Sequence, residues 1–272
     1  MPAYDVKREL KNLYAPRDTT WALVDVPEQQ FLAIDGSGNP NTAAEYATAV
    51  GAVYGVAYTL KFANKKEDGR DFVVAPLEGL WWADDPTAFT TGAKDSWHWT
   101  MLIGQPDWIA ESLIDAARNT ALARKKLPAI SDVRRLVLRE GLCAQVLHVG
   151  PYDDEGPVLA ELHGSYLAAN GLDYAGPHHE VYLGDPRRAD PAKLKTILRQ
   201  PVRPADRPTA NLTADFKGDG QAEPVAESST SPPNRGRLTP WLIVCSWIRS
   251  SNGCWEPCWR SSERCRTAIR CH

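Results

Sequence analysis

The sequence predicts an α+β fold built from two tandem strand–helix–strand–strand (βαββ) units that are related by a pseudo-twofold axis. Two observations indicate this fold. The same order of apolar runs and amphipathic segments occurs on both sides of a linking helix predicted at residues 107–128. The stretch EGLWWADDP also matches HEVYLGDP, since each presents a glutamate, then aromatic and aliphatic residues, then Asp-Pro. Two such units are expected to join their sheets and leave a ligand groove between the halves.

The first unit is predicted at about residues 28–106, after a leader at residues 1–22. The run QQFLAIDGSGNP predicts a strand that ends in a turn. Apolar side chains then recur every three or four residues to about Phe62, which predicts an amphipathic helix capped by Asn41 or Thr42. The stretches DFVVAPLEGLWW and SWHWTMLIGQP predict two more strands, which complete the βαββ order.

The linking helix and the second unit complete a body predicted at residues 23–203. The stretch PDWIAESLIDAARNTALARKKL begins with proline and acidic residues and ends with basic ones, as the helix dipole favours. The second unit, at about 134–203, begins with RLVLREGLCAQVLHVG as one extended run. A helix from Glu155 to Asn170 follows, and the strands HHEVYLGDP and KLKTILRQPV close the unit.

The composition indicates a globular protein without an electrostatic preference for polyanions. The formal net charge is -3, with 43% hydrophobic and 24% charged residues. A phosphate backbone or an acidic membrane surface is therefore a poor partner, and we expect neither nucleic-acid nor membrane binding. The amino terminus lacks the apolar core of a signal peptide, so we expect a cytoplasmic protein. The sequence identifies no protein partner.

The composition changes after the second unit. Residues 204–237 are rich in proline, serine, threonine and glycine, which predicts a linker. Residues 238–272 hold five of the six cysteines and four of the ten tryptophans. One interpretation is a zinc site that includes Cys254 and Cys258, although the cysteine spacing fits no standard zinc motif. The other, which we favour, is translation of a GC-rich gene in the wrong frame, with a disordered tail and a genuine protein that ends shortly after residue 220.

Residues from roughly 20 to 203 resemble the GyrI-like small-molecule-binding domain family, within the broader SOUL and effector-binding-domain superfamily. The resemblance rests on PLEGLWW, on SWHWTMLIGQPDWI, and on HHEVYLGDPRR followed by KLKTILRQPV. It implies two SHS2-type units around a groove for flat or aromatic, often cationic, compounds. Some stand-alone members of this family are enzymes that detoxify DNA-alkylating natural products by adding water to a strained cyclopropane ring. Only some 20 residues precede the first unit, which favours a stand-alone member over a regulator with a helix-turn-helix.

Glu180 and Tyr182 are the catalytic candidates. In HHEVYLGDP a strand period of two places both side chains on one face. A buried glutamate can act as a general base toward water, and Tyr182 can orient that water or donate to a carbonyl on the ligand. The resemblance supports the choice, since similar glutamate and tyrosine positions matter in the family. The structural alternative is a buried ion pair between a glutamate and Arg135, Arg139 or Arg199.

Aromatic residues and a second glutamate are the ligand-binding candidates. In APLEGLWW the same period pairs Glu78 with Trp82 at the groove and directs Trp81 to the core or the helix side. Indole and phenol rings can hold a planar ligand by stacking, although tryptophans on strands are also common in cores. The other candidates are Trp97 and Trp99 on one strand, Tyr54 and Tyr58 one helical turn apart, and Tyr152 in Gly-Pro-Tyr.

We predict no metal site and no cofactor. His178 and His179 are adjacent on a strand and point to opposite faces, so they are poorly placed to share one ion. Cys143 has no histidine at a recognisable spacing, which argues against a thiol nucleophile. Three functions remain: hydrolysis of planar electrophilic xenobiotics, non-catalytic sequestration or effector sensing of amphipathic aromatic compounds, and inhibition of DNA gyrase, which only the family name suggests.

Overall fold

The computed structural model describes residues 2–17, 19–85, 87–185 and 188–205 of the chain. Within these residues the strands are β1 (Ala22–Val26), β2 (Gln29–Ser37), β3 (Leu77–Trp82), β4 (His98–Gln105), β5 (Arg134–Leu138), β6 (Gly141–Val149), β7 (Leu172–Tyr174), β8 (His178–Tyr182) and β9 (Lys195–Pro204). The α-helices are α1 (Val6–Glu9), α2 (Lys11–Tyr14), α3 (Ala44–Asp68), α4 (Thr87–Thr90), α5 (Glu111–Lys125), α6 (Gly156–Glu161) and α7 (Leu167–Ala169). A π-helical turn, Leu162–Tyr166, joins α6 to α7. The predicted linker and tail lie outside the described residues from residue 206 onward, so both interpretations of the tail stay predictions.

The strands form one large sheet, and every pairing between them is antiparallel. The order is β1-β6-β9-β8-β3-β4-β2-β5, with β7 paired to β9. In the first half the chain runs through β2, α3, β3 and β4. In the second half it runs through β6, the segment from α6 to α7, and then β7, β8 and β9; β3 and β8 pair where the halves meet. The predicted class, helices combined with a large antiparallel sheet, is confirmed, while the pseudo-twofold relation stays a prediction.

The predicted single strand at the start of the second unit is in fact two strands, β5 and β6. The break falls at Arg139 and Glu140, and Gly141 follows with a φ of 66°, a left-handed conformation that favours glycine. β5 pairs with β2, whereas β6 pairs with β1 and β9, at the far side of the sheet. Two residues span only a short distance, so the sheet must curl until these strands approach each other.

The long helix α3 packs against β2 and β4 of the first half and differs from the prediction at both ends. Neither Asn41 nor Thr42 caps it; the helix begins after Ala43, which makes no side-chain capping bond. It also continues past Phe62 to Asp68, and Gly69 ends it with a φ of 71°. Its small and apolar residues, which include Ala52, Val53, Val56, Ala57 and Leu60, are buried in the main core.

The leader is part of the folded body. Leu13 and Tyr14 on α2 are almost fully buried in the main core, and the Trp21 indole donates a hydrogen bond to the carbonyl of Val158. Among the described residues, no helix combines the length and the apolar character that a membrane span needs.

Candidate functional site

The register between β3 and β8 decides which side chains share the face that α3 covers. Gly79 lies directly opposite Glu180, and Trp81 lies opposite His178. Residues opposite each other in an antiparallel pair project from the same face. The α3 residue Tyr46 contacts Trp81 on this face. Glu180 therefore lies on the helix-covered face, between the two halves of the sheet.

Glu180 is buried and bonded to Tyr182, as the two-residue period predicts. Glu180 is only 4% exposed. The Tyr182 hydroxyl donates to Oε2 of Glu180 at 2.7 Å, and the Trp81 indole Nε1 donates to that hydroxyl at 3.1 Å. Burial raises the pKa of Tyr182 well above its usual value, and the Glu180 carboxylate raises it further. Tyr182 therefore stays a neutral donor, and the two bonds hold the Glu180 carboxylate in place.

An aromatic cluster surrounds this carboxylate. Tyr46 packs on Trp81 with ring centroids 6.1 Å apart, and it meets the Trp99 ring edge-on at 5.3 Å. Trp97 and Trp81 are 6.0 Å apart. Tyr152 meets Tyr182 edge-on at 5.8 Å. We call this set the aromatic cluster; its members are Tyr46, Trp81, Trp97, Trp99, Tyr152 and Tyr182.

Glycines allow the cluster to pack closely on the sheet. A Cβ added at Gly79 would lie 2.7 Å from Cε of Met101 and 2.8 Å from Nε1 of Trp81. A Cβ at Gly36 would lie 2.0 Å from the Trp99 ring. A larger side chain at either position would displace an indole. The glycine in PLEGLWW thus makes room for Trp81 directly beside Glu180.

Two further tyrosines extend from the cluster along α3. Tyr54 and Tyr58 stack with centroids 6.2 Å apart, and Tyr58 is 50% exposed. Burial raises the pKa of Tyr46, and the nearby Glu180, Tyr152 and Tyr54 raise it further. Tyr54 therefore lies close enough to Tyr46 to affect its pKa, whereas Tyr58 lies toward solvent.

Glu78 and Trp82 do not share the groove with Glu180, and this part of the prediction is wrong. Glu78 lies opposite Val181, one residue out of step with Glu180, so its side chain projects from the other face of the sheet. Trp82 lies on that face as well and stacks on His98 at 5.7 Å. The intrastrand pairing of Glu78 with Trp82 was predicted correctly, but the face was not.

On this second face of the sheet, which we call the outer face because it lies away from α3, Glu78 belongs to a buried ionic network. Oε2 of Glu78 lies 3.0 Å from Nε2 of His179, and the Tyr14 hydroxyl donates to Oε1 at 3.0 Å. Nδ1 of His179 lies 2.9 Å from Glu140, which also pairs with Arg199 at 3.2 Å. The alternative of a structural ion pair is therefore realised around Glu78, which His179 and Glu140 link to Arg199.

Two groups near Glu180 were missing from the predicted site. His178 is 1% exposed, and its Nε2 lies 3.6 Å from Oε1 of Glu180. Glu155 is fully buried; burial raises the pKa of Tyr152, and the carboxylates of Glu155 and Glu180 raise it further. The two-residue period of HHEVY places His178 on the same face as Glu180 and Tyr182, so His178 could have been predicted from the sequence. Nothing in the local pattern indicated Glu155.

Two surface cavities lie away from Glu180. One, of about 670 Å³, adjoins the leader and is lined by residues such as Asn12, Val24 and Gln145. The other, of about 560 Å³, lies on the outer face and is lined by residues such as Trp82 and Tyr174. Among the described residues, no three His, Cys, Asp or Glu side chains form a group that could hold a metal ion.

Comparisons with known proteins agree with this architecture. A model of the GyrI-like small molecule binding domain matches residues 20–203. An uncharacterized conserved protein from Listeria innocua is 40% identical, with a TM-score of 0.68, over 74% of this chain and all 100% of its own. Two structures described as a hydrolase from Listeria innocua are 39% identical over the same shares, with TM-scores of 0.64 and 0.67. No curated protein matches the chain.

Proposed function

The chain belongs to the GyrI-like small molecule binding domain family, and on that premise we propose that it hydrolyses planar aromatic electrophiles, in particular cyclopropane-bearing xenobiotics. The observation that carries the proposal is the 2.7 Å hydrogen bond from Tyr182 to Glu180 inside the aromatic cluster. The description of two similar Listeria structures as hydrolases supports the reaction class.

Glu180 is the proposed general base. It is 4% exposed, and the Tyr182 hydroxyl donates a hydrogen bond to its Oε2 at 2.7 Å. A carboxylate removed from water is a stronger base than one on the surface. The bonds from Trp81 through Tyr182 fix its orientation, which favours proton transfer from a positioned water.

The aromatic cluster is the proposed recognition element. Indole and phenol faces bind planar rings by stacking, and they attract cationic groups through the ring quadrupole. Because Glu180 is buried, a ligand reaches it only when neighbouring side chains of the aromatic cluster, such as Tyr46 and Tyr152, move aside. Tyr54 and Tyr58 lead from the exposed surface toward the cluster and are the proposed entrance.

The proposed reaction adds one water to a cyclopropane ring that is conjugated to a carbonyl. Glu180 takes a proton from the water as its oxygen forms a bond to the less hindered ring carbon. The strained carbon–carbon bond breaks, and its electron pair moves through the conjugated system to the carbonyl oxygen, which becomes a phenolate and takes up one proton. The product is the substrate plus one water, with no oxidant and no metal in the step.

Mass spectrometry of a cyclopropane-bearing alkylator incubated with the protein tests this proposal. The wild type should form the ring-opened hydrate, and Glu180→Gln should lower the rate by about 100-fold or more. Glu161→Gln is the matched control, because Glu161 is exposed on α6 and outside the site. Quenching of tryptophan fluorescence by the intact alkylator should show that Glu180→Gln still binds.

A sequestration protein would behave differently in the same assay. It would bind the alkylator stoichiometrically, quench tryptophan fluorescence equally in the wild type and in Glu180→Gln, and form no hydrate above the rate in buffer. That result would reject hydrolysis and would favour the non-catalytic alternative.

A further inference from the structure

Tyr14 reaches the outer face of the sheet from the leader and meets polar groups that belong to the body of the chain. Tyr14 is fully buried. Its hydroxyl donates to Oε1 of Glu78 at 3.0 Å and accepts a hydrogen bond from Nε2 of Gln29 at 3.3 Å. The guanidinium of Arg199 lies 5.8 Å from the centroid of its ring, within the range of a cation–π contact. An acceptor, a donor and a cation therefore converge on one phenol ring.

The ring and the groups that hold it come from different parts of the chain. Glu78, Gln29 and Arg199 lie on β3, β2 and β9, within the family match at residues 20–203, whereas Tyr14 precedes that match. Burial raises the pKa of Tyr14 well above its usual value, and the Glu78 carboxylate raises it further. The phenol is therefore neutral and keeps its O–H as a donor. The body thus presents the polar groups for a neutral phenol, and the leader supplies that phenol.

The backbone of the leader is bound to the body beside this ring. Nε2 of Gln145 donates to the carbonyl of Asn12 at 3.0 Å, and Nη2 of Arg199 donates to the carbonyl of Leu13 at 3.1 Å. Both carbonyls lie in α2, a single turn of four residues, where carbonyls near the end have no partner within the helix. A helix this short has little stability of its own, so these contacts and the Tyr14 ring hold the leader in place.

We propose that Glu78, Gln29 and Arg199 form a binding site for a small phenol, and that the leader fills this site as a tethered ligand through Tyr14. The site lies on the face opposite Glu180 and does not depend on the proposed hydrolysis. Attachment to the chain gives Tyr14 an effective concentration on the order of millimolar or higher, so a free phenol of millimolar affinity does not displace it. The site is therefore closed to free phenols in the wild type, and it accepts one when the Tyr14 side chain is removed.

Thermal unfolding of the full chain with 4-methylphenol, which matches the tyrosine side chain, tests this site. Tyr14→Ala should unfold at a lower temperature than the wild type, because it leaves a cavity and removes the donor to Glu78. At about ten times its dissociation constant, 4-methylphenol should raise the melting temperature of this variant by about 3 °C or more. Toluene has the same shape without the hydroxyl and should bind at least about 10-fold more weakly. Equal binding of the two compounds would overturn the proposal.

Two further variants separate this site from other places where 4-methylphenol binds. Tyr14→Phe keeps a ring in the site, so the compound should stabilise it no more than it stabilises the wild type. Tyr4→Ala removes the other tyrosine of the leader, which packs edge-on against Trp108 at 5.2 Å, and should also show no gain over the wild type. Equal stabilisation of the wild type and Tyr14→Ala would locate the compound elsewhere, as in the aromatic cluster, and would overturn the proposal.

Refolding keeps the proposal testable if Tyr14→Ala does not fold in buffer. In that case 4-methylphenol should increase the folded fraction, measured by near-ultraviolet circular dichroism, and toluene should increase it less. A folded fraction that 4-methylphenol leaves unchanged would overturn the proposal. Nuclear magnetic resonance of 4-methylphenol labelled with ¹³C at its methyl group counts the bound molecules. Folded Tyr14→Ala should bind about one equivalent more than the wild type, and an equal number for the two proteins would also overturn the proposal.

Discussion

Glu78 and Glu180 lie one residue out of register across the β3–β8 pair, so their carboxylates project from opposite faces of the sheet. Glu180 faces the aromatic cluster, while Glu78 is bonded to His179 and Tyr14 on the outer face. The two buried glutamates therefore have separate roles. Substitutions at the two positions should separate an effect on chemistry from an effect on stability.

Glu78→Gln should destabilise the fold by about 3–5 kcal/mol, because it leaves the buried His179 without one of its two carboxylate partners. The measurement is unfolding in urea, with the free energies of unfolding compared between wild type and variant. The folded fraction of Glu78→Gln should retain hydration activity in the proposed assay. A stable but inactive variant would contradict the separation of roles.

The His179–Glu140 pair predicts a stability maximum between about pH 4.5 and 6.5. Although burial lowers it, Glu140 and Glu78 raise the pKa of His179 from 6.5 to about 9. The stabilisation of the fold by charged His179 is therefore fully present below pH 6.5 and is lost as the pH rises through 9. Burial raises the pKa of Glu140, but His179 and Arg199 lower it from 4.5 to about 2, so its contribution is present above pH 4.5 and is lost as the pH falls through 2.

Urea unfolding of the wild type and of Glu140→Gln from pH 3 to pH 10 checks this window. The difference in unfolding free energy between the two proteins isolates the pair from other titrating groups. That difference should be largest between pH 4.5 and 6.5 and should shrink toward pH 9. A difference that stays constant from pH 6 to pH 10 would show that His179 is not held in its charged form.

Tyr182→Phe should slow the proposed hydration by about 10- to 100-fold, because it removes the hydroxyl that orients Glu180. It also leaves the Trp81 indole N–H without its acceptor, so stability should fall by about 1–3 kcal/mol. Steady-state rates and urea unfolding measure the two effects. Tyr4→Phe is the control, since Tyr4 lies in the leader, packs edge-on against Trp108 and is not a member of the aromatic cluster. Equal rates for Tyr182→Phe and wild type would remove Tyr182 from the proposed mechanism.

The alternation within each strand was readable from the sequence, whereas the pairing between strands was not. The period of two placed Glu180 with Tyr182, and separated His178 from His179, as the structure has them. The face of Glu78 depends on the register between two strands about a hundred residues apart, which no local pattern specifies. A shift of one residue reverses the face, and that shift is the error made for Glu78.

The sequence did not predict the buried network around Glu140 or the burial of Glu155, and the reason is the same for both. Glu140 was predicted inside a continuous strand, but the turn before Gly141 brings it to His179. Glu155 was predicted only as a helix start, and its burial arises from tertiary packing. In both cases the position of the carboxylate depends on contacts between segments that are distant in the sequence, which sequence periodicity does not determine.

Gly36→Ala should destabilise the protein by about 1–3 kcal/mol, because its new Cβ would lie 2.0 Å from the Trp99 ring. The displaced indole should also weaken ligand binding to the aromatic cluster, measured by fluorescence quenching. Gly164→Ala is the matched control, since a Cβ there meets nothing within 4 Å and its φ is not left-handed. A wild-type stability for Gly36→Ala would mean that Trp99 is free to shift at little cost.

Removal of residues 206–272 should leave both the fold and the ligand affinity unchanged. The last strand pairing is complete at Pro204, and the backbone N–H of Ala205 donates to the Gly171 carbonyl at 2.9 Å. The family match also ends at residue 203. Thermal unfolding and fluorescence titration of the truncated and full chains provide the comparison.

The same pair of proteins decides between the two interpretations of the tail. If the tail is a wrong-frame translation, the purified full chain should bind far less than one equivalent of zinc, and the truncated chain should have the same melting temperature as the full chain. A zinc site would instead bind about one equivalent through Cys254, Cys258 and their neighbours, and removal of zinc would destabilise only the full chain. Cysteine thiolates bind zinc tightly enough at neutral pH that an absent signal after zinc titration would argue directly against the site.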